Sequence, residues 1–206
     1  MALFSKRVLT GTRSKALQQS GLDSFLKQSI HKDPTSSVYL GTMFEMQTME
    51  ALQTIGMDLS HVGGKGDRGV DLSGEWPLAL SSTFAVPRLI VQCKRLQKGC
   101  SPDHLRSLVG TVVNMAHPTQ PTIGILATLG HRPFTKELSG HFLSSQVPLG
   151  LAMVDENCLK SLVFNLPAQE ILQGVVVTTR YTAAGDRVPV VTFKGQVIDI
   201  ENKMCI

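Results

Sequence analysis

Residues 63–76 read GGKGDRGVDLSGEW, and residues 89–95 read LIVQCKR. Three of these side chains, Asp71, Gln92 and Lys94, make a chemically coherent set. Side chains alternate faces along a strand, so Gln92 and Lys94 share one face of the second segment while Val91 and Cys93 take the other. By the same rule Asp71 projects opposite Val70 and Leu72. Two such strands would bring all three polar groups to one edge, and the glycines before Asp71 let another molecule approach the backbone closely. A hard cation such as Mg²⁺ takes oxygen ligands, which the Asp71 carboxylate and the Gln92 side-chain carbonyl can supply. Such an ion polarises a phosphate oxygen and acidifies a bound water. Lys94, a compact point charge, suits orienting that water and offsetting charge that develops on phosphorus. The chemistry is metal-assisted phosphodiester hydrolysis. Taken singly, Asp71 reads as a turn residue, Gln92 as an edge polar group and Lys94 as a strand-end lysine; their order and spacing make the signal. The glycine-rich stretch lacks both the P-loop pattern and the spacing that opens a dinucleotide-binding helix.

The elements that must position these residues follow from periodicity. Residues 42–55 carry a helical apolar face of Phe44, Thr48, Ala51, Leu52 and Ile55, stopped by Gly56. On that wheel Glu45 lies beside Met49 and Leu52 at the flank of the apolar face, whereas Glu50 falls on the polar side with Gln47 and Thr54. Strands are expected at 57–62, 69–74 and 88–94. Ser101-Pro102-Asp103 opens a helix whose apolar face holds Leu105, Leu108, Val109, Val112, Val113 and Ala116. A buried strand at 122–128, a helix from Pro133 and a second buried strand beginning PLGLAMV come next. VVVTTRY and VPVVTF flank TAAGD as a hairpin. This order predicts a three-layer α/β domain with a mixed sheet and a terminal β appendage.

Charge narrows the function less than the total suggests. The 206 residues carry 20 Lys and Arg against 16 Asp and Glu. The excess lies entirely in residues 1–22, which hold Lys6, Arg7, Arg13 and Lys15 and no acid. That basic, acid-free and hydroxyl-rich start has the composition of a mitochondrial transit peptide and lacks the apolar core of a secretory signal. The expected address is the mitochondrial matrix. No apolar run is long enough to span a bilayer, so no membrane partner is expected. The cysteines Cys93, Cys100, Cys158 and Cys205 form no C-x-x-C pair, which argues for free thiols and against zinc. Trp76 suits plugging a core edge better than stacking on a base.

With these residues in view, GGKGDRGVDL followed by LIVQCKR resembles the PD-(D/E)xK nuclease superfamily, in particular its Mrr-like restriction-endonuclease branch. The branch reads approximately G-x-G-D-x-G-x-D and then a strand with Q-x-K, and its first core helix carries a glutamate, here Glu45 in GTMFEM. The likeness runs from about residue 40 to 155. The leader, the DLSGEW extension and the C-terminal part look like a fungal mitochondrial family named for being required for respiratory growth. The resemblance implies a restriction-endonuclease-like fold and a Mg- or Mn-dependent endonuclease acting on DNA. Asp71, Gln92 and Glu45 would hold the metal, and Lys94 would be the catalytic lysine. Gln92 stands where most of the superfamily has an acid, so the site should hold metal less tightly, although Gln is usual in this branch. Arg68, Arg95, Lys98 and Arg106 are candidates for phosphate contacts. A homodimer is expected if both strands are cut. The organisation that follows is a leader at 1–22, a linker with a short helix at 23–39, a nuclease-like core at 40–155 and a β-rich extension at 156–206. The alternative is a nuclease-fold protein of little or no activity that serves as a mitochondrial nucleic-acid-binding or assembly factor.

Overall fold

The computed structural model describes residues 21–29, 33–64, 69–77, 86–131, 133–156 and 158–198. Nearly all of the expected leader, together with Asp67 and Arg68, lies outside these residues.

Helix α1 (Leu22–Gln28) precedes the long helix α2 (Ser37–Gln53). Helix α2 starts five residues before the apolar periodicity does, because Ser36 caps it: its Oγ accepts from the Tyr39 N–H at 3.2 Å. The face expected from the sequence is the buried one, with Phe44, Thr48, Ala51, Leu52 and Ile55 all sequestered. Glu50, on the opposite side, accepts from the Leu22 N–H at 3.2 Å and so serves the start of α1.

Strands β1 (Asp58–His61), β2 (Leu72–Glu75) and β3 (Arg88–Lys94) form an antiparallel meander. Helix α3 (Pro102–Asn114) then leads to β4 (Thr122–Leu129), and α4 (Lys136–Ser144) leads to β5 (Leu149–Asp155). Strands β3, β4 and β5 pair in parallel. Parallel neighbours need crossover connections, and α3 and α4 supply them. At the start of α3, His104 reaches back so that its Nδ1 accepts from the Ser101 N–H at 3.0 Å. The expected apolar face of this helix is only partly right: Leu105, Leu108 and Val112 are buried, but Val113 and Ala116 are exposed.

The sheet does not stop at residue 155. Strand β6 (Cys158–Phe164), which the sequence reading leaves out, adds to β5 in antiparallel fashion and completes a six-stranded sheet in the order β1-β2-β3-β4-β5-β6. A short helix, α5 (Leu166–Leu172), leads to the expected hairpin of β7 (Val175–Tyr181) and β8 (Arg187–Phe193), which β9 (Gln196–Val197) extends to three strands.

Two apolar layers enclose the main sheet. One gathers α2, α5, Val175 of β7 and Val191 of β8 against Leu89, Val91 and Cys93. The other packs α3 and α4 against Ile90, Leu126, Leu149 and Leu151. The three-layer α/β plan with a mixed sheet and a C-terminal β appendage is therefore present. Trp76 is fully buried, with its Nε1–H donating to the Ile55 carbonyl at 3.1 Å and its ring beside Phe164. It is a core plug.

Candidate active site

Asp71 occupies a bend immediately before β2, at the point where β2 and β3 part. Regular pairing of the two strands runs from Leu72 opposite Val91 to Glu75 opposite Arg88. One step earlier, Asp71 donates its N–H to the Val91 carbonyl at 3.0 Å, and its own carbonyl accepts from the N–H groups of Val62 and Gly63 at 2.9 and 3.0 Å. The side chain then takes over from the backbone, as Oδ2 accepts from the Cys93 N–H at 2.6 Å. A buried strand N–H needs an acceptor, and where the ladder opens the carboxylate supplies one. Asp71 is thereby fixed at β3 beside the residue that separates Gln92 from Lys94.

Strict alternation fails around this bend. Val70 joins the layer of α3 and α4, whereas Leu72 joins the layer of α2. The expectation that both point away from Asp71 on one face assumed a strand through residues 69–74, and β2 starts only at Leu72. On β3 the alternation holds. Leu89, Val91 and Cys93 face α2, while Ile90 lies in the opposite layer and shares its face with Gln92 and Lys94.

Gln92 is not at an edge. It is only 3% exposed, and among the described residues its Oε1 has no hydrogen-bond partner. Gly69 passes so close that a methyl group on it would lie 3.0 Å from Gln92 Nε2, and its φ of +78° suits glycine. Lys94, at the end of the strand, is half-buried. Between them, burial pushes the Cys93 thiol well above the usual range, and the negative charge of Asp71 pushes it further the same way. Glu45 acts in the same sense and Lys94 in the opposite one. The two carboxylates and the ammonium therefore act on one strand end.

Glu45 reaches that end from α2, and it has a partner that the sequence reading missed. His61 Nε2 lies 2.7 Å from Glu45 Oε2, with side chains 25% and 19% exposed respectively. His61 is the last residue of β1 and pairs with Leu72, next to Asp71. The only signal in the sequence was a histidine in phase with Leu59, on the face that β1 turns to α2. Gly63 closes the corner: a methyl group there would stand 3.0 Å from His61 Nε2, 3.3 Å from Glu45 Oε2 and 3.6 Å from Asp71 Cα.

The donor types suit a hard divalent cation: the Asp71 carboxylate and the buried Gln92 amide oxygen, which has no partner among the described residues, with the Glu45 carboxylate approaching the Asp71 corner from the α2 side. Among the described residues no three His, Cys, Asp or Glu side chains gather closely enough to hold a metal. A centre here would depend on the Gln92 amide. Of the candidate phosphate contacts, Arg95 is half-buried and Lys98 exposed in the turn after β3. Arg106 already forms an exposed ion pair with Asp103 on α3.

Against this geometry stand the sequence relatives. A family model described as Required for respiratory growth protein 7 matches residues 36–85, which take in α2, β1, Asp71 and β2. The chain is 33% identical over 163 residues to an uncharacterized mitochondrial protein of Schizosaccharomyces pombe, covering 78% of this chain and 64% of that protein. It is 28% identical over 152 residues to the mitochondrial Required for respiratory growth protein 7 of Zygosaccharomyces rouxii, covering 55% of this chain and 63% of that one. The chain thus spans just under two thirds of the length of both relatives. Among solved structures, MspJI restriction endonuclease in complex with a 27-mer oligonucleotide aligns with a TM-score of 0.40 and 19% identity, over 70% of this chain and 33% of that chain. In sequence the chain is thus similar to Required for respiratory growth protein 7, whose family model matches the stretch that holds the glutamate helix and the aspartate bend of the site.

Proposed function

We propose that this protein is a divalent-metal-dependent endonuclease that hydrolyses DNA phosphodiester bonds in mitochondria, in the upkeep of the organelle's DNA. The observation that carries the reading is the buried Gln92 Oε1, without a partner among the described residues, on the strand where Asp71 Oδ2 is anchored to the Cys93 N–H. An acceptor sealed from water without a donor costs about 1–3 kcal/mol. A cation that takes this oxygen as a ligand removes the cost.

Asp71 and Gln92 would hold Mg²⁺ or Mn²⁺, with Glu45 completing the oxygen set. Such an ion, when bound, polarises a phosphate oxygen and lowers the pKa of water. Lys94 shares its strand face with Gln92, so its ammonium would orient the attacking water and offset charge developing on phosphorus. Arg95 and Lys98 follow directly in the chain and would meet the DNA backbone; binding should then weaken steeply with salt. Cutting both strands takes two sites, which a homodimer would supply.

The test is to incubate the purified full chain with plasmid DNA and Mg²⁺ or Mn²⁺. Wild type should nick or linearise the plasmid, and Lys94→Ala should bind DNA with unchanged affinity but not cut it. If both proteins are equally inert with both metals on duplex, branched and single-stranded DNA, the nuclease reading fails. A protein that binds nucleic acid or assembles complexes without turnover would take its place.

A further inference from the structure

We propose that His61 is a positioning residue for Glu45: it holds this carboxylate at the Asp71 corner and so sets how tightly the site binds a divalent cation. The inference rests on the metal-site reading above. A carboxylate can only accept, so at 2.7 Å from Glu45 Oε2 it is His61 Nε2 that carries the hydrogen. Glu45 stands on a helix at the end of a side chain with three rotatable bonds, and among the described residues His61 is the hydrogen-bond partner that ties it to the sheet edge. His61 stands on a paired strand, so its ring is the stiffer partner.

The backbone carries this restraint to the metal corner. The two residues that follow His61, Val62 and Gly63, both donate to the Asp71 carbonyl, which makes the end of β1 and the Asp71 bend one hydrogen-bonded unit. Gly63 leaves no space for another side chain between His61 and Glu45. The Glu45 carboxylate is therefore held in register with the Asp71 backbone through His61. Partners that orient metal-binding groups typically change metal affinity 10- to 100-fold when removed.

A histidine that merely satisfied a nearby acid would affect folding and nothing else, and metal binding separates the two roles. Mn²⁺ is titrated calorimetrically into the full-length wild type, His61→Phe, His61→Gln and Asp71→Asn, and each protein is also melted in chelator. His61→Phe should weaken Mn²⁺ binding about tenfold or more. His61→Gln, which keeps an N–H donor at similar reach, should restore most of that loss, and Asp71→Asn should bind least. His61→Asn, whose amide falls short of Glu45, replaces His61→Phe if the latter does not fold. Wild-type affinity in His61→Phe, with Asp71→Asn impaired, overturns the role of His61 and leaves the metal site standing. Failure of His61→Gln to restore binding also overturns it. Absence of Mn²⁺ binding in the wild type overturns both.

Discussion

Two buried side-chain amides, one at each end of the sheet, receive opposite treatment. Asn165, 1% exposed, caps α5 and ties it to the start of β5. Its Oδ1 accepts from the N–H groups of Leu149 and Ala168 at 2.9 and 3.2 Å, and its Nδ2 donates to the carbonyls of Phe142, Ser145 and Val147. Gln92, 3% exposed, leaves its Oε1 without any partner among the described residues. A core selected only for stability would satisfy that oxygen or replace the residue with leucine. Asn165 serves the fold, whereas the Gln92 oxygen takes no part in a hydrogen bond among the described residues and is the ligand that the proposed metal would use.

The comparison breaks most visibly at Asn165. Asn165→Ala removes the side-chain acceptor of two N–H groups, the amide donor to three carbonyls and a helix cap, so it should cost about 3 kcal/mol or more in urea denaturation. A loss below about 1 kcal/mol would mean the network is worth little. Trp76→Ala should cost a similar 3–5 kcal/mol by emptying a fully buried site, with no effect specific to metal. Gln92→Leu should do the reverse. Stability should hold or rise by about 1 kcal/mol, because an unpaired buried acceptor is gone, while Mn²⁺ binding drops out. A clear destabilisation by Gln92→Leu would show that its oxygen is already satisfied.

How much of this was readable in the sequence depended on the range of the signal. Asp71, Gln92 and Lys94 announce themselves through local spacing, and the two parallel strands through their apolar runs. His61 did not, because a lone histidine gains meaning only when α2 is folded over the end of β1. Strand β6 hid for a different reason. Its buried residues Leu159 and Leu162 are three apart, which breaks the two-residue period of a strand. The β5–β6 register shifts between Met153 and Val154, so Val154 pairs with Leu159 and Met153 with Ser161, and Lys160 is the extra residue. Helix α5, with seven residues, is too short for periodicity to register.

A smaller effect sharpens the contrast between the two faces of β3. Cys93, on the face opposite Gln92, keeps its proton to higher pH when folded than when unfolded. Above the ordinary thiol value of about 8.5 the unfolded chain alone loses that proton, so stability should fall as pH rises, and Cys93→Ala should flatten the slope. Thermal melts between about pH 7 and 10 check this. An unchanged slope in the variant would place the alkaline loss elsewhere. In the native protein a maleimide should label the half-buried Cys158 well before Cys93 or Cys100.

What the Gln92 oxygen binds decides between a metal centre and a merely structural strand end. Anomalous diffraction from crystals soaked in Mn²⁺ locates the ion without reference to activity. The expected result is one strong peak in contact with both the Asp71 carboxylate and Gln92 Oε1. A water on that oxygen, with manganese absent or bound elsewhere, would contradict it.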